Sequence, residues 1–465
     1  MEDFRDVFEK LLDYSGEIGA SYAGLLYQRR DSETITVENQ SLKSYVSDTK
    51  SGVGIRVVYK GAMGFASTSN LTWNGLKDTL EASVKGSKSM KGDGSEAFTP
   101  SEVNKVNVEL PMKIDPLNVA PEEKVAMILA TNKAAYNNEN IRSASTRWGF
   151  IKDHRLFLST DGADVKQVTP LIGLSHSSIA YDGSQKETIG YSKGLCSGYE
   201  FMSSINWDEF AVDISNLAVE AVKAKAAPAG TYDVVVDPDV VGLVLHEALG
   251  HATEGDGVAT GGSVLYGRLN DKIGSDLVSI YDEGVTEGGY YLPYDDEGSK
   301  KGKLTLIENG VLKSYLSDRR SAKKLGVETS GNGRSMDFEN YPIVRMTNYY
   351  MAPGDNSNDE LVEGVDFGIM LQGKGGRGGQ VDTGMGTFSF GVGPGRIIRN
   401  GEPQELVRGL VISGSVLDVL KSVDAVGKET RMRTSVFGGC GKGGQWVKVG
   451  MGGPSIRAKM TVGGR

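Results

Sequence analysis

The sequence predicts an α+β protein built from mixed helices and largely antiparallel sheets. Polar and apolar residues alternate over residues 141–200, and this strand-like pattern is interrupted at Asp161-Gly162 and Asp182-Gly183, which are dipeptides that favour tight hairpin turns. The second half contains two more hairpin signals, Asn309-Gly310 and Asn400-Gly401. Because hairpins join antiparallel neighbours, these patterns indicate antiparallel sheets, and amphipathic segments between them indicate helices.

The helices of the first half are predicted from apolar residues at helical spacing. Such residues recur from Phe4 to Leu12, and Gly16 is expected to end this first helix. Strand-like alternation with frequent glycines follows from Tyr22 to about Ala66. Further helices are predicted over residues 76–84, 121–136 and 207–224.

A strand followed by a helix opens the second half. Residues 232–236 form a short apolar run that is typical of a buried strand. Asp237-Pro238 then predicts a helix start, because Asp is a favoured N-cap and Pro suits the first helical position. A short helix is predicted over residues 415–423, and the alternating apolar residues from Ile456 to Val462 predict another strand.

The length of the chain predicts more than one packed unit. At 465 residues it exceeds the size of a single hydrophobic core. Pro228-Ala229-Gly230 ends the predicted helix of residues 207–224 and is the best candidate for a boundary. The sequence therefore predicts an N-terminal α+β domain at residues 1–228 and a sheet-rich C-terminal domain at residues 229–465. A further division of the first domain near residue 115 stays open.

Composition argues against several classes of function. The formal net charge is −9 and no basic run is present, whereas nucleic-acid-binding surfaces concentrate Lys and Arg to neutralise phosphates. No stretch approaches the roughly 20 apolar residues of a membrane span, and the acidic start lacks the apolar core of a secretory signal. Because Cys196 and Cys440 are the only cysteines, we expect a protein of the reducing cytoplasm without a disulfide framework.

The predicted helix after Pro238 is apolar on almost every side until it reaches His246-Glu247 and then His251. A helix that is apolar all round is buried, and burying imidazoles and a carboxylate is costly unless they are paired or bind a metal. The two histidines could instead be hydrogen-bonded core residues. Glu247 favours the metal site, because a carboxylate beside a bound metal can act as a general base.

The spacing of the histidines predicts an irregular helix. In the zinc-binding pattern His-Glu-x-x-His, the histidines are four residues apart and share one face of an α-helix. His246 and His251 are five residues apart, which in a regular α-helix would separate them by about 140° around the axis. A π-type turn absorbs one extra residue, and Gly250 would permit it. We therefore predict a π-type turn between the two histidines.

Cys440 is the strongest candidate for a third metal ligand. Catalytic zinc normally takes three protein ligands and keeps a fourth position for water. Cys440 lies in the glycine-rich segment 438–444, where the backbone can approach other groups closely, and Lys442 could favour the thiolate. The alternative is that a small residue is simply tolerated in a loop. The remaining histidine and cysteine side chains have no assigned role: His154, His176 and Cys196.

Two carboxylates follow the histidines closely. A carboxylate that accepts a hydrogen bond from a metal-binding imidazole is common behind zinc sites, and Glu254 is close enough in sequence to serve. Asp256 is a second candidate. Solvation at the surface is an equally good interpretation of both residues.

Several motifs of the second half, in this order and at this spacing, make the chain similar to the TldD/PmbA family. They are His246-Glu247-Ala248-Leu249-Gly250-His251 with Glu254-Gly255-Asp256, Gly331-Asn332-Gly333-Arg334, Arg345-Met346-Thr347-Asn348, Gly379-Gln380-Val381-Asp382 and Cys440-Gly441-Lys442. A weaker likeness covers residues 52–66 of the first half.

The resemblance implies a zinc metallopeptidase that acts on unfolded or peptide-like chains in a site enclosed between two related subunits. It implies that Zn²⁺ is held by His246, His251 and Cys440, and that Glu247 is the general base. Arg334 becomes a further candidate for a contact behind the ligands or with substrate. A strand near residues 379–386 could pair with an extended substrate.

The resemblance also concerns partners. PmbA-like members lack the His-Glu-x-x-x-His motif and act as partners of catalytic members, so a homodimer or a heterodimer with a PmbA-like relative is expected. Family members are often named modulators of DNA gyrase, but the acidic composition provides no basis for direct DNA contact. The alternative function is a non-catalytic peptide-binding or regulatory partner with a vestigial metal site.

Overall fold

The computed structural model describes residues 4–89, 98, 101–376 and 378–464. Within these residues the chain forms two large β-sheets on which helices pack. The predicted α+β class with largely antiparallel sheets is confirmed.

The first sheet and its helices occupy the first half of the chain. In order, the elements are α1 (Arg5–Glu17), β1 (Tyr22–Glu38), β2 (Ser41–Tyr59), β3 (Ala62–Thr68), α2 (Trp73–Ser89), β4 (Lys105–Glu109), a 3-10 turn (Pro116–Asn118), α3 (Pro121–Ala134), β5 (Ile141–Ser159), β6 (Asp164–Tyr181), β7 (Lys186–Leu195), α4 (Glu200–Ser203) and α5 (Trp207–Lys223).

The first sheet has seven strands in the order β3-β2-β1-β5-β6-β4, with β7 paired to β6. Its pairs are antiparallel except for β4 with β6. The two predicted Asp-Gly turns are confirmed, because Gly162 and Gly183 adopt φ values of +93° and +99°. Helix α1 continues past Gly16 to Glu17, so this glycine does not end the helix as expected; one glycine costs a helix only about 1 kcal/mol.

The second sheet and its helices follow. In order, the elements are β8 (Lys225–Ala226), β9 (Gly230–Val236), α6 (Pro238–Val244), a π-helical segment (Leu245–Gly250), a 3-10 turn (His251–Thr253), α7 (Gly255–Ala259), β10 (Ile280–Glu283), β11 (Leu304–Glu308), β12 (Val311–Leu312), α8 (Arg319–Leu325), β13 (Gly333–Arg334), β14 (Ile343–Val344), β15 (Asn348–Met351), α9 (Asn358–Glu363), β16 (Phe367–Leu371), β17 (Gly378–Asp382), β18 (Thr387–Gly391), β19 (Gly395–Arg399), β20 (Glu402–Arg408), β21 (Leu410–Ser415), α10 (Val416–Ser422), β22 (Ala425–Thr434), β23 (Cys440–Lys442), β24 (Gln445–Val447) and β25 (Gly450–Gly464).

The second sheet has 14 strands, and β25 lies inside it. This strand pairs with β9, β15, β21 and β22, and only its pairing with β15 is parallel. The predicted hairpins are confirmed, since Asn309-Gly310 joins β11 to β12 and Asn400-Gly401 joins β19 to β20. Both residues of each turn have positive φ, as a type I′ turn requires.

Helix α6 lies on the second sheet and leads into the residues with predicted chemistry. Asp237 caps it by accepting a hydrogen bond from the backbone N–H of Asp239 at 2.9 Å, and Pro238 is its first residue, as predicted. The helix approaches β25 so closely that a Cβ at Gly242 would lie 2.8 Å from the backbone nitrogen of Gly452. Glycine permits this approach, which sets the position of the helix on the sheet.

Buried ion pairs join the first sheet to the second half of the chain. Arg56 of β2 pairs with Glu297, and Nη1 of Arg155 on β5 lies 2.5 Å from Asp296. The acidic residues belong to the segment that follows β10. The division of the chain after residue 228 stays a prediction. None of the described helices is long and apolar enough to cross a membrane.

Candidate metal centre

The helix that carries the two histidines widens where they occur. Residues 245–250 form a π-helical segment that follows α6 without a break, and a 3-10 turn begins at His251. The imidazole rings of His246 and His251 consequently lie side by side in an edge-to-face arrangement, with centroids 5.4 Å apart and planes at 85°. The π-type turn predicted from the five-residue spacing is confirmed.

Gly250 has a different role from the one expected. Its φ of −56° and ψ of −51° are ordinary right-handed helical values, so any residue could adopt this backbone conformation. A Cβ at this position would instead lie 2.1 Å from Sδ of Met346. Glycine therefore serves close packing between the π-helical segment and the residues before β15, and conformational freedom is not what it supplies.

Cys440 reaches the two histidines from the start of β23. Its Sγ lies 3.3 Å from Nε2 of His251, and one ligand atom from each of the three residues falls within 4.8 Å of the others. Gly439 precedes it, and a Cβ there would lie 2.5 Å from the backbone oxygen of Val447. The glycine-rich segment thus allows the close approach of backbone that was expected around the thiol.

Two side chains of this cluster have strongly shifted pKa values. Burial alone would raise the pKa of Cys440, but the neighbouring imidazoles of His246 and His251 lower it to about 5. Burial would lower the pKa of His251, but its hydrogen bonds with Cys440 and Glu254 raise it to about 10. The thiol is therefore held as a thiolate, which is the form that binds metals.

His246 shows most directly that the residues fit a metal ion. Its side chain is completely buried, and neither ring nitrogen has a hydrogen-bond partner among the described residues. A buried polar group without a partner is costly, and a metal ion that accepts the lone pair of one of these nitrogens would remove part of that cost. Two imidazoles and a thiolate form a donor set that suits zinc.

Glu247 lies at the open side of the cluster. Its carboxylate Oε2 is 3.8 Å from Nε2 of His251, and about a third of its side chain is exposed, at 32%. Nε2 of His251 is also the nitrogen that faces Cys440. The carboxylate therefore lies next to the candidate ligand atoms and is accessible to water.

The opposite side of His251 is held by a carboxylate. Oε2 of Glu254 accepts a hydrogen bond from Nδ1 of His251 at 2.9 Å, and Glu254 is itself buried. Lys442 has no described contact with the thiolate that the sequence suggested it could favour. Its Nζ lies 3.1 Å from Glu254 and 2.7 Å from Asp256, so Asp256 anchors this lysine and makes no described contact with the candidate ligands.

The other histidine and cysteine side chains lie in the first half of the structure. His176 is buried between the hydroxyls of Thr146 and Ser178, and burial lowers its pKa to about 4. His154 lies 3.9 Å from Asp31. The thiol of Cys196 accepts a hydrogen bond from the backbone of Tyr291, and burial raises its pKa to about 12. None of these three side chains has a described contact with the cluster.

Arg345 is the residue next to the site that sequence reasoning missed. It is completely buried and donates to the backbone oxygen of Cys440. Arg334, by contrast, donates to the backbone oxygens of Met346 and Lys448, and does not touch the cluster in any described contact. A lone arginine between short strands carries no local pattern, so only the motif Arg345-Met346-Thr347-Asn348 could have drawn attention to it.

A buried cluster of two histidines and a cysteine, with a carboxylate beside it on the same helix, is typical of metalloenzymes. The chain belongs to the PmbA/TldD family of metallopeptidases. Its residues match domain 1 of the family over 23–87, the central domain over 114–226 and the C-terminal domain over 229–464.

Relatives extend over nearly the whole chain. A metalloprotease of Methanothermobacter thermautotrophicus is 35% identical over 97% of this chain and 98% of its own length. A protein of Haemophilus influenzae named metalloprotease TldD homolog is 31% identical, with 98% and 95% covered. A protein of Saccharolobus solfataricus named zinc metalloprotease TldD homolog is 30% identical, with 98% and 99% covered.

Solved structures share the fold. One is a protein of Thermotoga maritima described as a candidate modulator of a DNA gyrase, with a TM-score of 0.82 and 22% identity over 99% of this chain and 100% of that one. Another is TldE of Thermococcus kodakarensis, with a TM-score of 0.80 and 18% identity over 98% and 99% of the two chains.

Proposed function

We propose that this protein is a zinc metallopeptidase that hydrolyses peptide bonds of unfolded or peptide-like substrates. His246, His251 and Cys440 hold the zinc ion, and Glu247 is the general base. The observation that carries the proposal is the convergence of one ligand atom from each of the three residues within 4.8 Å. In addition, the ring nitrogens of the buried His246 have no hydrogen-bond partner among the described residues. The names of the relatives, which include a zinc metalloprotease, support the same assignment.

The chemistry follows from the positions of the side chains. Zinc, when bound, supplies a Lewis acid that acidifies water and polarises a carbonyl group. Glu247 accepts a proton from the attacking water as the new carbon–oxygen bond forms, and then donates it to the amine nitrogen as the carbon–nitrogen bond breaks. Glu254 keeps Nδ1 of His251 hydrogen-bonded, so that Nε2 points towards the cluster.

An extended substrate is favoured by a strand edge near the site. Among the described residues, β17 pairs only with β18, and its side chains are mostly exposed. It lies beside the π-helical segment that carries Glu247. A peptide added to this edge would be bound through its backbone, which tolerates many sequences and suits unfolded chains.

Glu247→Gln tests the proposal, because it keeps the shape of the side chain and removes the base. Zinc content should stay at one ion per chain, while turnover of an unfolded protein and of short peptides should fall by roughly 100-fold or more. Glu139→Gln is the matched control, since Glu139 is exposed in the first half. Unchanged turnover in Glu247→Gln, or a zinc-free active protein, would refute the assignment; hydrolysis of small amides alone would refute the peptidase.

We further propose that the protein works in the cytoplasm as a homodimer or as a heterodimer with a PmbA-like relative, without contact to nucleic acid or membrane. The fold shared with TldE supports a related partner. Strand β2 supports it as well, because its residues 41–49 pair only with β1 among the described residues. Leu42 and Val46 are exposed there at 46% and 55%, and such an edge is a template for another strand.

Light scattering with Val46→Lys tests this partnership. A charge on the free edge should shift the dimer towards monomers, whereas Val285→Lys, at a valine that is 50% exposed elsewhere, should leave it unchanged. A wild-type chain that stays monomeric, alone and mixed with a PmbA-like relative, would contradict the proposal.

A further inference from the structure

Arg345 is an arginine without any exposed surface, and it lies between the two parts of the candidate metal centre. One terminal nitrogen donates to the backbone oxygen of Cys440, and the other donates to the backbone oxygen of Gln445 at 3.3 Å. Its Nε lies 3.9 Å from Oε1 of Glu254. We propose that Arg345 is a positioning residue that fixes the thiolate of Cys440 relative to His251; the inference rests on the proposed metal site.

The energetic argument begins with burial. A guanidinium removed from water loses several kcal/mol of solvation, which only well-placed acceptors can offset. Two backbone oxygens accept from the terminal nitrogens of Arg345, whereas its Nε and Oε1 of Glu254 are both buried without a hydrogen-bond partner among the described residues and lie 3.9 Å apart, so the two opposite charges attract each other across this gap. Burying these two charged groups costs free energy of solvation. Because they lie beside the cluster, we infer that their role is to hold it in place.

The geometric argument concerns the two segments that Arg345 connects. His251 and Cys440 are 189 residues apart in the chain, so no local structure holds them together. Arg345 contacts both segments. It donates a hydrogen bond to the backbone oxygen of Cys440, and it faces the carboxylate of Glu254, which accepts a hydrogen bond from Nδ1 of His251. One planar side chain with several fixed donors can hold three groups in one arrangement.

Lys442 cannot replace Arg345 in this role. It also reaches Glu254, at 3.1 Å, but a quarter of its side chain is exposed, and its other contacts are Asp256 and the backbone of Val344. It therefore supports the carboxylate from outside. Only Arg345, among the described residues, donates to the backbone of Cys440 from the buried side while facing Glu254.

The alternative interpretation is that Arg345 only stabilises the fold by connecting loops through hydrogen bonds. Arg334 provides a comparison for it within the same structure. It is also buried, at 4% exposed, and also donates to two backbone oxygens, those of Met346 and Lys448. It has no described contact with Cys440 or Glu254, so it represents a buried arginine that does not contact the candidate ligands or the carboxylate behind them.

The test compares Arg345→Gln and Arg345→Lys with Arg334→Gln and Arg334→Lys in the full-length protein loaded with Co²⁺. Cobalt bound to a thiolate absorbs in the near ultraviolet, so the spectrum reports the sulfur–metal bond directly. The Arg345 variants should bind Co²⁺ and Zn²⁺ roughly 10- to 100-fold more weakly, as is usual when a partner behind a ligand is lost, with weaker thiolate absorption. Lysine should retain more affinity than glutamine, because it keeps the charge and one hydrogen bond.

The outcomes separate the inference from the proposed function. Wild-type affinity and absorption in both Arg345 variants would overturn the role of Arg345 alone, as would equal losses in Arg334 variants of matched stability. A wild-type protein that binds cobalt without thiolate absorption would overturn the metal centre itself. Should Arg345→Gln fail to fold, Arg345→Lys carries the same comparison, because it preserves the buried charge.

Discussion

Gly250→Ala should weaken metal binding, although alanine fits the backbone conformation at this position. The residue is in ordinary helical conformation, so the substitution adds only a methyl group. That methyl carbon would lie 2.1 Å from Sδ of Met346 and 3.1 Å from its Cε. Contacts between such atoms are comfortable at about 3.5–4.0 Å, so the sulfur or the π-helical segment has to move by about 1.5 Å.

The expected magnitude follows from the lack of space. Met346 has no exposed surface, and inserting a methyl group into a packed interior costs about 1–3 kcal/mol. If the segment relaxes by moving His246 and His251 apart, metal binding has to reverse that movement. At about 1.4 kcal/mol for each tenfold change, zinc affinity should then fall by roughly 5- to 150-fold.

The assay is competition for zinc with a chromophoric chelator, together with denaturant unfolding of the metal-free protein. Gly86→Ala is the control, because Gly86 is exposed in helix α2 and its Cβ would meet nothing within 4 Å; it should leave zinc affinity unchanged. Gly250→Ala combined with Met346→Ala should recover much of the affinity lost in Gly250→Ala, since the clash is gone. Wild-type zinc affinity in Gly250→Ala would refute the reasoning.

Two further predictions concern titrating groups. In the metal-free protein at pH 7, iodoacetamide should modify Cys440 faster than Cys196, because the pKa of Cys440 is lowered to about 5 and that of Cys196 is raised to about 12. Cys440 is buried, so its labelling should be slow and should follow local opening of the site. Zinc should protect Cys440, and faster labelling of Cys196 in peptide mapping would contradict the prediction. Burial and the carboxylate of Glu297 raise the pKa of Asp318 to about 6, above its value in the unfolded chain. The protonated carboxyl group therefore contributes stability to the folded protein below about pH 4, and this contribution is lost as the pH rises through about 6. Asp318→Asn, which keeps the helix cap, should therefore be more stable than wild type at pH 8 by up to about 3 kcal/mol, and equally stable near pH 4; urea unfolding at both pH values checks this, and a deficit at pH 8 would contradict it.

Local patterns in the sequence were sufficient for much of the fold and of the candidate site. Asn309-Gly310 and Asn400-Gly401 form the expected hairpins because their backbone conformations are intrinsic to these residues. The π-helical turn was predictable because two histidines five residues apart can share a metal ion in no regular α-helix. Burial of that helix was predictable because it has almost no polar side.

Contacts between distant segments were not predictable in the same way. The place of β25 between β9 and β15 depends on packing across the whole sheet, which no local period encodes. The partners of Lys442 and Arg345 come from other segments of the chain. The residues around Lys442 suggested Cys440 as its neighbour and not Asp256, and those around Arg345 suggested no partner. The sequence suggests that Gly250 supplies conformational freedom, whereas in the structure a larger residue at this position is excluded by the sulfur of Met346.

The interior position of β25 has a consequence for the order in which the candidate metal centre is assembled during synthesis. A ribosome releases the segment with His246 and His251 long before Cys440, and β25 is made later still. Until β25 has been made, β9 and β15 have no strand between them, so a growing chain holds the two imidazoles on an incomplete sheet. The candidate metal centre therefore acquires its third ligand, Cys440, and the strand that completes its sheet only after both histidines have been synthesised.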